Sequence, residues 1–464
     1  MLNKEESAHG AKGYIQRSEF INQHFLFVGT FGLRPKGTLS RRTLPLAQAL
    51  ARRGHAVTVL APPWDWPADA GRCEWIGGVE VVQVRVNGGP LAILARLLMA
   101  IWRCRPTVVV AVKPKGYSGL ALWCLWRLRR LGAWRGQLWL DADDWETGWN
   151  ERLAYPRPLA MLFAWQEAWC LAHADRVMAA SRWLQVYAAA VRQTNPVDGQ
   201  VVYLPNGIDR ISVSPVAAVA KPGPPTVLLY TRFVEVTPAR IVRIWAQVIR
   251  QVPLARLIVI GDAAPAGRGV SASAIEIAPN GRTAGRPPTW TRRPLEPSPA
   301  AELRARAAAA GLASSIIVLG WTPAAALPGV LAAADAAWAP LADTSINRAR
   351  CPVKLVELLA AGLPVVTDDV GEASTYITSG VNGLLVAPGA DARTAPALCR
   401  LLTDRTYAHS LGQAAAARVA RDFLWDKLVE RFLRSETGDR RPEIGDRRPE
   451  TGDRRSSAFH APDL

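Results

Sequence analysis

CPVKLVELLAAGLPVVTDDVGEASTYITSGVNGLLV, residues Cys351 to Val386, reads as a helix, a buried strand, a turn and a second helix in that order. Val353, Leu355, Val356, Leu358 and Leu359 give the first segment a helical apolar face, Ala361-Gly362 ends it, Pro364 restarts the chain as a strand and Gly371 opens the next turn. Lys354 and Glu357 stand three apart. One turn of helix therefore brings a cation and a carboxylate to the same side near the helix N-terminus, where anions are favoured. The pair suits a phosphorylated, hydroxyl-rich ligand, but taken alone it reads first as an ordinary surface salt bridge.

The same grammar runs outward in both directions. FLFVG, AVTVLAP, VEVVQVRV, TVVVAV and QLWLDAD alternate with helical patterns in the first half, and VLLYTRF, ARLIVIGD, SIIVLGW, AAWAPL and LPVVTDD do so in the second. Such alternation implies right-handed strand–helix–strand units in mostly parallel sheets covered on both faces. At 464 residues, 49% hydrophobic and 20% charged, the chain has length for two cores. The expected division is a disordered leader (1–22), a first domain (23–205), a Pro/Gly-rich linker (206–224), a second domain (225–415) interrupted by a mobile insertion (263–300), a C-terminal helix (416–434) and a disordered tail (435–464). The tail repeats ETGDRRP, EIGDRRP, ETGDRRS, but Gly and Pro recur in every unit and no apolar pair does, so it is not a coiled coil.

Six scattered cysteines without a C-x-x-C pair point to reduced, buried thiols. The polar start lacks the apolar core of a signal peptide, and the uncharged run Ala307 to Ala334 is broken by Pro323 and Pro328, so neither reads as a membrane span. The net charge of +17 is unevenly placed. Leu91 to Gly136 holds Arg96, Arg103, Arg105, Lys113, Lys115, Arg127, Arg129, Arg130 and Arg135 with Trp102, Trp123, Trp126 and Trp134, and no acid. Two helix-like segments of this kind are expected to bury Trp and Leu in an anionic membrane surface while Arg meets lipid phosphates. The opposing expectation is that the apolar residues pack on the sheet and the arginines are solvated. No helix-turn-helix or RNA-binding motif appears, so nucleic acid is not an expected partner.

PVKLVELLAAGLPVV followed by G-E-A-S-x-x-I and G-x-N-G-L-L-V resembles the donor-site signature of glycosyltransferase family 4, the glycosyl transferases group 1. FVGTFGLRPKGTLSRRTLPLAQALARRGHAVTVLAPP (Phe27 to Pro63), ADRVMAASRWLQ, VVYLPNGID, VLLYTRFVE and LIVIGD resemble other segments of that family in order and spacing, over roughly 25–434. The resemblance implies α/β GT-B architecture, two facing Rossmann-like domains with an interdomain cleft, and a final helix that crosses back onto the first domain.

It also implies site residues. Arg232, at the end of VLLYTRF, matches the family's arginine on the donor diphosphate, and Glu357 matches the glutamate that accepts ribose hydroxyls. The lysine usual five residues after the arginine is Thr237 here, so Lys354 is expected to supply that charge; Arg232 and Lys354 are the catalytic candidates. The first glutamate of the family's pair falls on Ala349. Asn347 and Arg348, with Arg350, are then expected to read a differently shaped or acidic sugar, with Gly371 completing the donor loop, or else activity is lost. In the first domain Gly29, Gly32 and Gly37 allow a loop that approaches an anion closely before a helix N-terminus, with Lys36 as companion. Asp141 and Asp144, in an Asp-x-Asp-Asp run after QLWL, are read as orienting an acceptor hydroxyl or capping the next helix.

The expected function is transfer of a sugar from a nucleotide-sugar donor to an envelope glycan or lipid-linked acceptor, with retention implied by the family. No metal or cofactor is expected, and the expected place is the cytoplasmic face of the membrane. The alternative is a catalytically silent GT-B protein that binds a sugar nucleotide or an anionic surface.

Overall fold

The computed structural model describes residues 23–34, 37–153, 155–194, 199–209, 223–261, 298–323 and 325–434. The leader, the tail, Lys36 and most of the linker and the insertion lie outside the described residues.

In the first domain β1 (His24–Val28), β2 (Ala56–Ala61), β3 (Cys73–Ile76), β4 (Val79–Gln83), β5 (Val108–Val112), β6 (Gln137–Ala142), β7 (Arg176–Ala179) and β8 (Gln200–Tyr203) form one sheet in the order β3-β4-β2-β1-β5-β6-β7-β8. Only the β3–β4 pair is antiparallel. β1 shows why the strands read as continuous apolar runs. Phe25 and Phe27 belong to one core and Leu26 and Val28 to another on the opposite face, so all four side chains are buried. In the second domain β9 (Thr226–Tyr230), β10 (Arg256–Ile260), β11 (Ile316–Gly320), β12 (Ala336–Ala339), β13 (Val365–Asp368) and β14 (Leu384–Val386) run parallel in the order β11-β10-β9-β12-β13-β14. Each sheet reverses its strand order once, between β1 and β5 and between β9 and β12. Those reversals open a crevice at the carboxyl ends of the strands, where ligands bind in this fold type.

Two features depart from the sequence expectation. The closing amphipathic stretch is not one helix but two, Arg405–Asp422 and Trp425–Arg434. The break at Phe423–Leu424 exists because Ile208 N–H donates to the Phe423 carbonyl (3.0 Å) and Trp425 N–H to the Ile208 carbonyl (3.1 Å), pinning the outgoing and returning chains together. A Cβ on Gly207 would sit 2.7 Å from that same Phe423 carbonyl, so only glycine fits there. Past the break, the Trp425–Arg434 helix packs on Leu44–Ala51 of the first domain, with Asp426 paired to Arg52 and Phe432 edge-on to Trp139. Second, the thiols are free but not all buried: Cys73 on β3 is exposed.

A buried ion pair sits at the junction. Arg42 and Asp141 are both essentially inaccessible, at 2% and 0% of their side-chain surface, and Arg42 Nη2 meets Asp141 Oδ1 at 2.7 Å while Nε bonds both carboxylate oxygens. Nη1 continues to Asn206 Oδ1 (2.9 Å), and Asn206 Nδ2 donates to the carbonyl of Cys351 in the second domain (2.7 Å). Asp141 therefore neither faces an acceptor nor caps the next helix, which begins at Glu146. Leaving either charge buried without its partner costs about 3–5 kcal/mol. Arg42→Ala and Asp141→Ala should each lower stability by that order in chemical denaturation, and Arg42→Met with Asp141→Leu should recover most of the loss.

Candidate active site in the interdomain cleft

The two switch points face one another, and each loop that leaves a strand there carries charge. After β1, a single π-helical turn, Leu39–Thr43, sends neighbouring arginines to different places. Arg42 enters the buried pair, and Arg41 crosses the cleft to Glu357 Oε1. Gly29 and Gly32 make room for close packing, since a Cβ would stand 2.8 Å from Leu39 or from Pro63, and Gly37 lies against Arg41. Lys36 is outside the described residues.

After β5, Lys113 and Lys115 do not join the surface patch expected from Leu91 to Gly136. Both are buried, because the β6 loop brings acids to them: Lys113 Nζ lies 3.1 Å from Asp143, 2.9 Å from Asp144 and 2.8 Å from Glu146, and Lys115 Nζ lies 3.2 Å from Glu146. Lys113 takes a left-handed backbone (φ 64°), which a side chain tolerates only under constraint. Burial works to depress the Lys113 pKa, but the three carboxylates hold it well above the usual lysine range. Burial pushes the Asp143 carboxyl up to about 7 despite Lys113. Asp144 stays below the usual range: burial opposes this, and Lys113 with Arg350 and Arg232 across the cleft outweighs it. Asp143, Asp144 and Glu146 stand close enough to ligate a metal, but the Lys113 ammonium already sits among them, hydrogen-bonded to Asp144 and Glu146 and ion-paired with Asp143.

On the second-domain side, Arg232 follows β9 at the cleft surface, its pKa lowered by desolvation and by Arg350. Lys354 and Glu357 lie on the helix Val353–Ala360, whose N-terminus points to the crevice. The Lys354 ammonium is buried without a hydrogen bond, 3.7 Å from Glu235 Oε1 and 4.8 Å from the Tyr230 ring centroid. Glu357 Oε2 is likewise buried and unbonded, the other oxygen being held by Arg41. Burial raises its pKa against the pull of Arg41 and Lys354.

The remaining residues expected in a donor loop turn out to shape the loop that carries them. Asn347 is buried, donating to the Ala342 carbonyl (2.9 Å) and accepting from Arg350 (3.3 Å). Arg348 is exposed and forked onto Asp343 (2.6 and 2.8 Å). Gly371 (φ 57°) allows its loop to close on the carbonyls of Asn347 and Arg348, which a Cβ would approach to 2.8 and 2.9 Å. Thr237 caps the helix Pro238–Gln251, and Ala349 is fully buried with its carbonyl accepting from Ser181 of the first domain (2.6 Å). Arg41, Asp143, Glu146, Glu235 and Trp149 escaped the sequence reading. Glu235 bonds Arg350 (3.1 Å) and sits beside Lys354, and Trp149 of the first domain lies under the Arg350 guanidinium at 5.8 Å.

Two parallel α/β domains closing on a charged cleft define the GT-B class. Residues 37–207 match the family model described as a glycosyl transferase 4-like domain, and 291–404 match that of the glycosyl transferases group 1. The chain belongs to the group 1 glycosyltransferases. It is 34% identical over 129 residues to the D-inositol 3-phosphate glycosyltransferase of Nocardia farcinica, a match that takes in 28% of this chain and only 27% of that relative. Among solved structures, the sucrose-phosphate synthase of Thermosynechococcus elongatus superposes with a TM-score of 0.63 at 20% identity, over 89% of this chain and 98% of that one. Anabaena HepE in complex with UDP-glucose gives 0.58 at 16% identity, over 90% and 100%. WaaG, a glycosyltransferase involved in lipopolysaccharide biosynthesis, gives 0.57 at 16% identity, over 88% and 98%. These likenesses establish the fold.

Lys113→Met should test the acid cluster, since it removes the cation that all three carboxylates share and leaves Glu146 to Lys115, Asp144 to Arg350 and Arg232, and Asp143 exposed to its neighbours' charge. Burial already pushes the Asp143 carboxyl up to about 7, and the variant takes away the cation that pulls it down, so the unfolded chain releases this proton first as pH rises and stability falls from about pH 4 upward. The melting-temperature deficit of the variant should therefore be larger at pH 8 than at pH 5.

Proposed function

We propose that the chain transfers a glycosyl group from a nucleoside diphosphate sugar, held by the second domain, to a hydroxyl of an envelope glycan or lipid-linked acceptor presented by the first, with retention of configuration. The observation that carries this reading is the buried, unbonded Glu357 Oε2 beside the unbonded Lys354 ammonium, one acceptor and one cation at the carboxyl-end crevice of the second sheet. A ribose hydroxyl satisfies the first and a diphosphate the second. In the reaction the bond from anomeric carbon to phosphate oxygen breaks, the bond to the acceptor oxygen forms, and the acceptor proton leaves with the diphosphate. Charge grows on the departing phosphates, so the fixed cations Arg232 and Lys354 act where the transition state needs them. Asp144, facing Arg232 and Arg350 from the first domain, orients the acceptor hydroxyl.

Anabaena HepE was solved with UDP-glucose, which makes uridine nucleotides the first to try. A nucleotide at a hundred times its Kd should add about 2.7 kcal/mol to stability. Glu357→Ala and Lys354→Ala should each lose about 1.5–3 kcal/mol of nucleotide affinity, while Arg232→Ala should lower kcat more than binding. Folded variants that bind nucleotide like the unaltered protein would refute the site.

The silent alternative draws on Thr237 and Ala349, both committed to structural contacts. Nucleotide binding without turnover of any sugar nucleotide, by the unaltered protein, would select it.

The acceptor class rests on an outer face of the first domain, and a place on the cytoplasmic side of the membrane goes with it. Met161, Leu162 and Trp165 are exposed on the helix Arg157–His173, and Trp165 meets Trp123 of the helix Gly116–Arg130, whose Arg127 stacks on Trp123 and Trp126. Among the described residues no helix is long and apolar enough to cross a membrane. The protein should co-sediment with anionic vesicles, more weakly at high salt, and Met161→Glu with Trp165→Glu should abolish this; equal binding to neutral vesicles would rule out the electrostatic attachment.

A further inference from the structure

No motif draws attention to Glu235, yet the loop after β9 is built around it. Phe233 takes a left-handed backbone (φ 59°), stabilised by its N–H bond to Thr231 Oγ1 (2.8 Å), and the turn folds Glu235 back until it is 6% exposed. Glu235 Oε2 accepts from Thr231 Oγ1 (2.9 Å) and from Arg232 N–H (3.0 Å). Oε1 accepts from Arg350 Nη2 (3.1 Å) and lies 3.7 Å from Lys354 Nζ. A carboxylate offers about four lone-pair directions. Three are taken by hydrogen bonds and the remaining side of Oε1 faces the Lys354 ammonium, so Glu235 is turned to its own cations rather than to a sugar hydroxyl and does not stand in for the glutamate missing at 349. Its effect passes through the cations it holds.

We propose that Glu235 is the positioning residue of the donor site, fastening Arg350 and Lys354 where one diphosphate meets both. This rests on the nucleotide-sugar reading above. Without Glu235 three cations would crowd together, since Glu357 is engaged by Arg41 and Asp144, across the cleft, is held by Lys113. The groups that face Lys354 are Glu235 and Arg232 from the β9 loop, Tyr230 from β9, Arg350 before its own helix and Glu357 on that helix. Burial, Arg232 and Arg350 bring the Lys354 pKa down to about 7, and Glu235 is the strongest influence against them, ahead of Glu357. An arriving diphosphate favours the ammonium, so above neutrality binding must take up a proton. Removing the Glu235 charge lowers the pH at which that uptake begins.

The test is calorimetric titration from pH 5.5 to 9 with the tightest-binding of UDP, GDP and ADP. The nucleotide's own phosphate ionisation, near pH 6, divides out when proteins are compared. For the unaltered protein, affinity should fall above about pH 7, approaching tenfold per pH unit, the slope of one proton. Glu235→Gln removes the charge while keeping one oxygen acceptor and the side chain's shape, and should start this fall at least one pH unit lower. Lys354→Arg, permanently charged, should bind with a flat profile. Loss of affinity by the same factor at every pH in Glu235→Gln, or no loss, would reduce the residue to a structural contact and overturn the proposal. So would an unchanged slope in Lys354→Arg. If the unaltered protein binds none of the three nucleotides at any pH, the functional reading falls first and this one with it.

Discussion

The buried pair of Arg42 and Asp141 is the interaction on which the two-domain arrangement depends. Its guanidinium joins the helix entry after β1 to the end of β6, then passes through Asn206 to the Cys351 carbonyl, at the head of the second domain's site helix. Tyr376 closes the same node, its hydroxyl donating to the Asn206 carbonyl (2.8 Å) and lying 2.9 Å from Cys351 Sγ. An isolated charge at this depth would be too costly to keep, and a paired one is costly to break. The junction thus tolerates few geometries. Arg41, one residue earlier, inherits that placement and reaches Glu357 because Arg42 is held.

Around this node the cleft is electrically lopsided. The first domain contributes Asp143, Asp144 and Glu146 gathered on Lys113, and the second contributes Arg232, Arg350 and Lys354 gathered on Glu235. Each side is a charge cluster organised by one central ion of opposite sign, and the two interact across the gap, as the depressed Asp144 pKa shows. A ligand carrying phosphates at one end and hydroxyls at the other finds cations facing the first and carboxylates facing the second. Burial makes these groups stronger partners than the same groups in water.

What the sequence disclosed follows from which contacts are local. β1, β5 and β9 were legible because both faces are buried and the apolar runs are unbroken. Lys354 and Glu357 were legible because three residues of helix suffice to bring them together. β7 and β8, four residues each, were seen only through family resemblance, and β3 was missed because CEWI is an exposed edge with one half-buried residue. Lys113 and Lys115 were misread as surface cations because Leu91 to Gly136 contains no acid, while their partners arrive from the neighbouring strand's loop. Asp141 was misread for a similar reason, its partner lying 99 positions earlier.

The departures at Thr237 and Ala349 acquire a different weight in this light. Read as a list of positions, the motif has lost a lysine and a glutamate. Read as a distribution of charge, the cleft keeps its cations, Lys354 and Arg350 at the helix entry, and Glu235 from the β9 loop holds those two rather than replacing the glutamate. Ala349 is wholly enclosed and its backbone holds Ser181, so a glutamate there would have to displace the domain contact itself. The left-handed Phe233 is the structural counterpart of that arrangement, because the turn it permits is what sets a carboxylate among the cations.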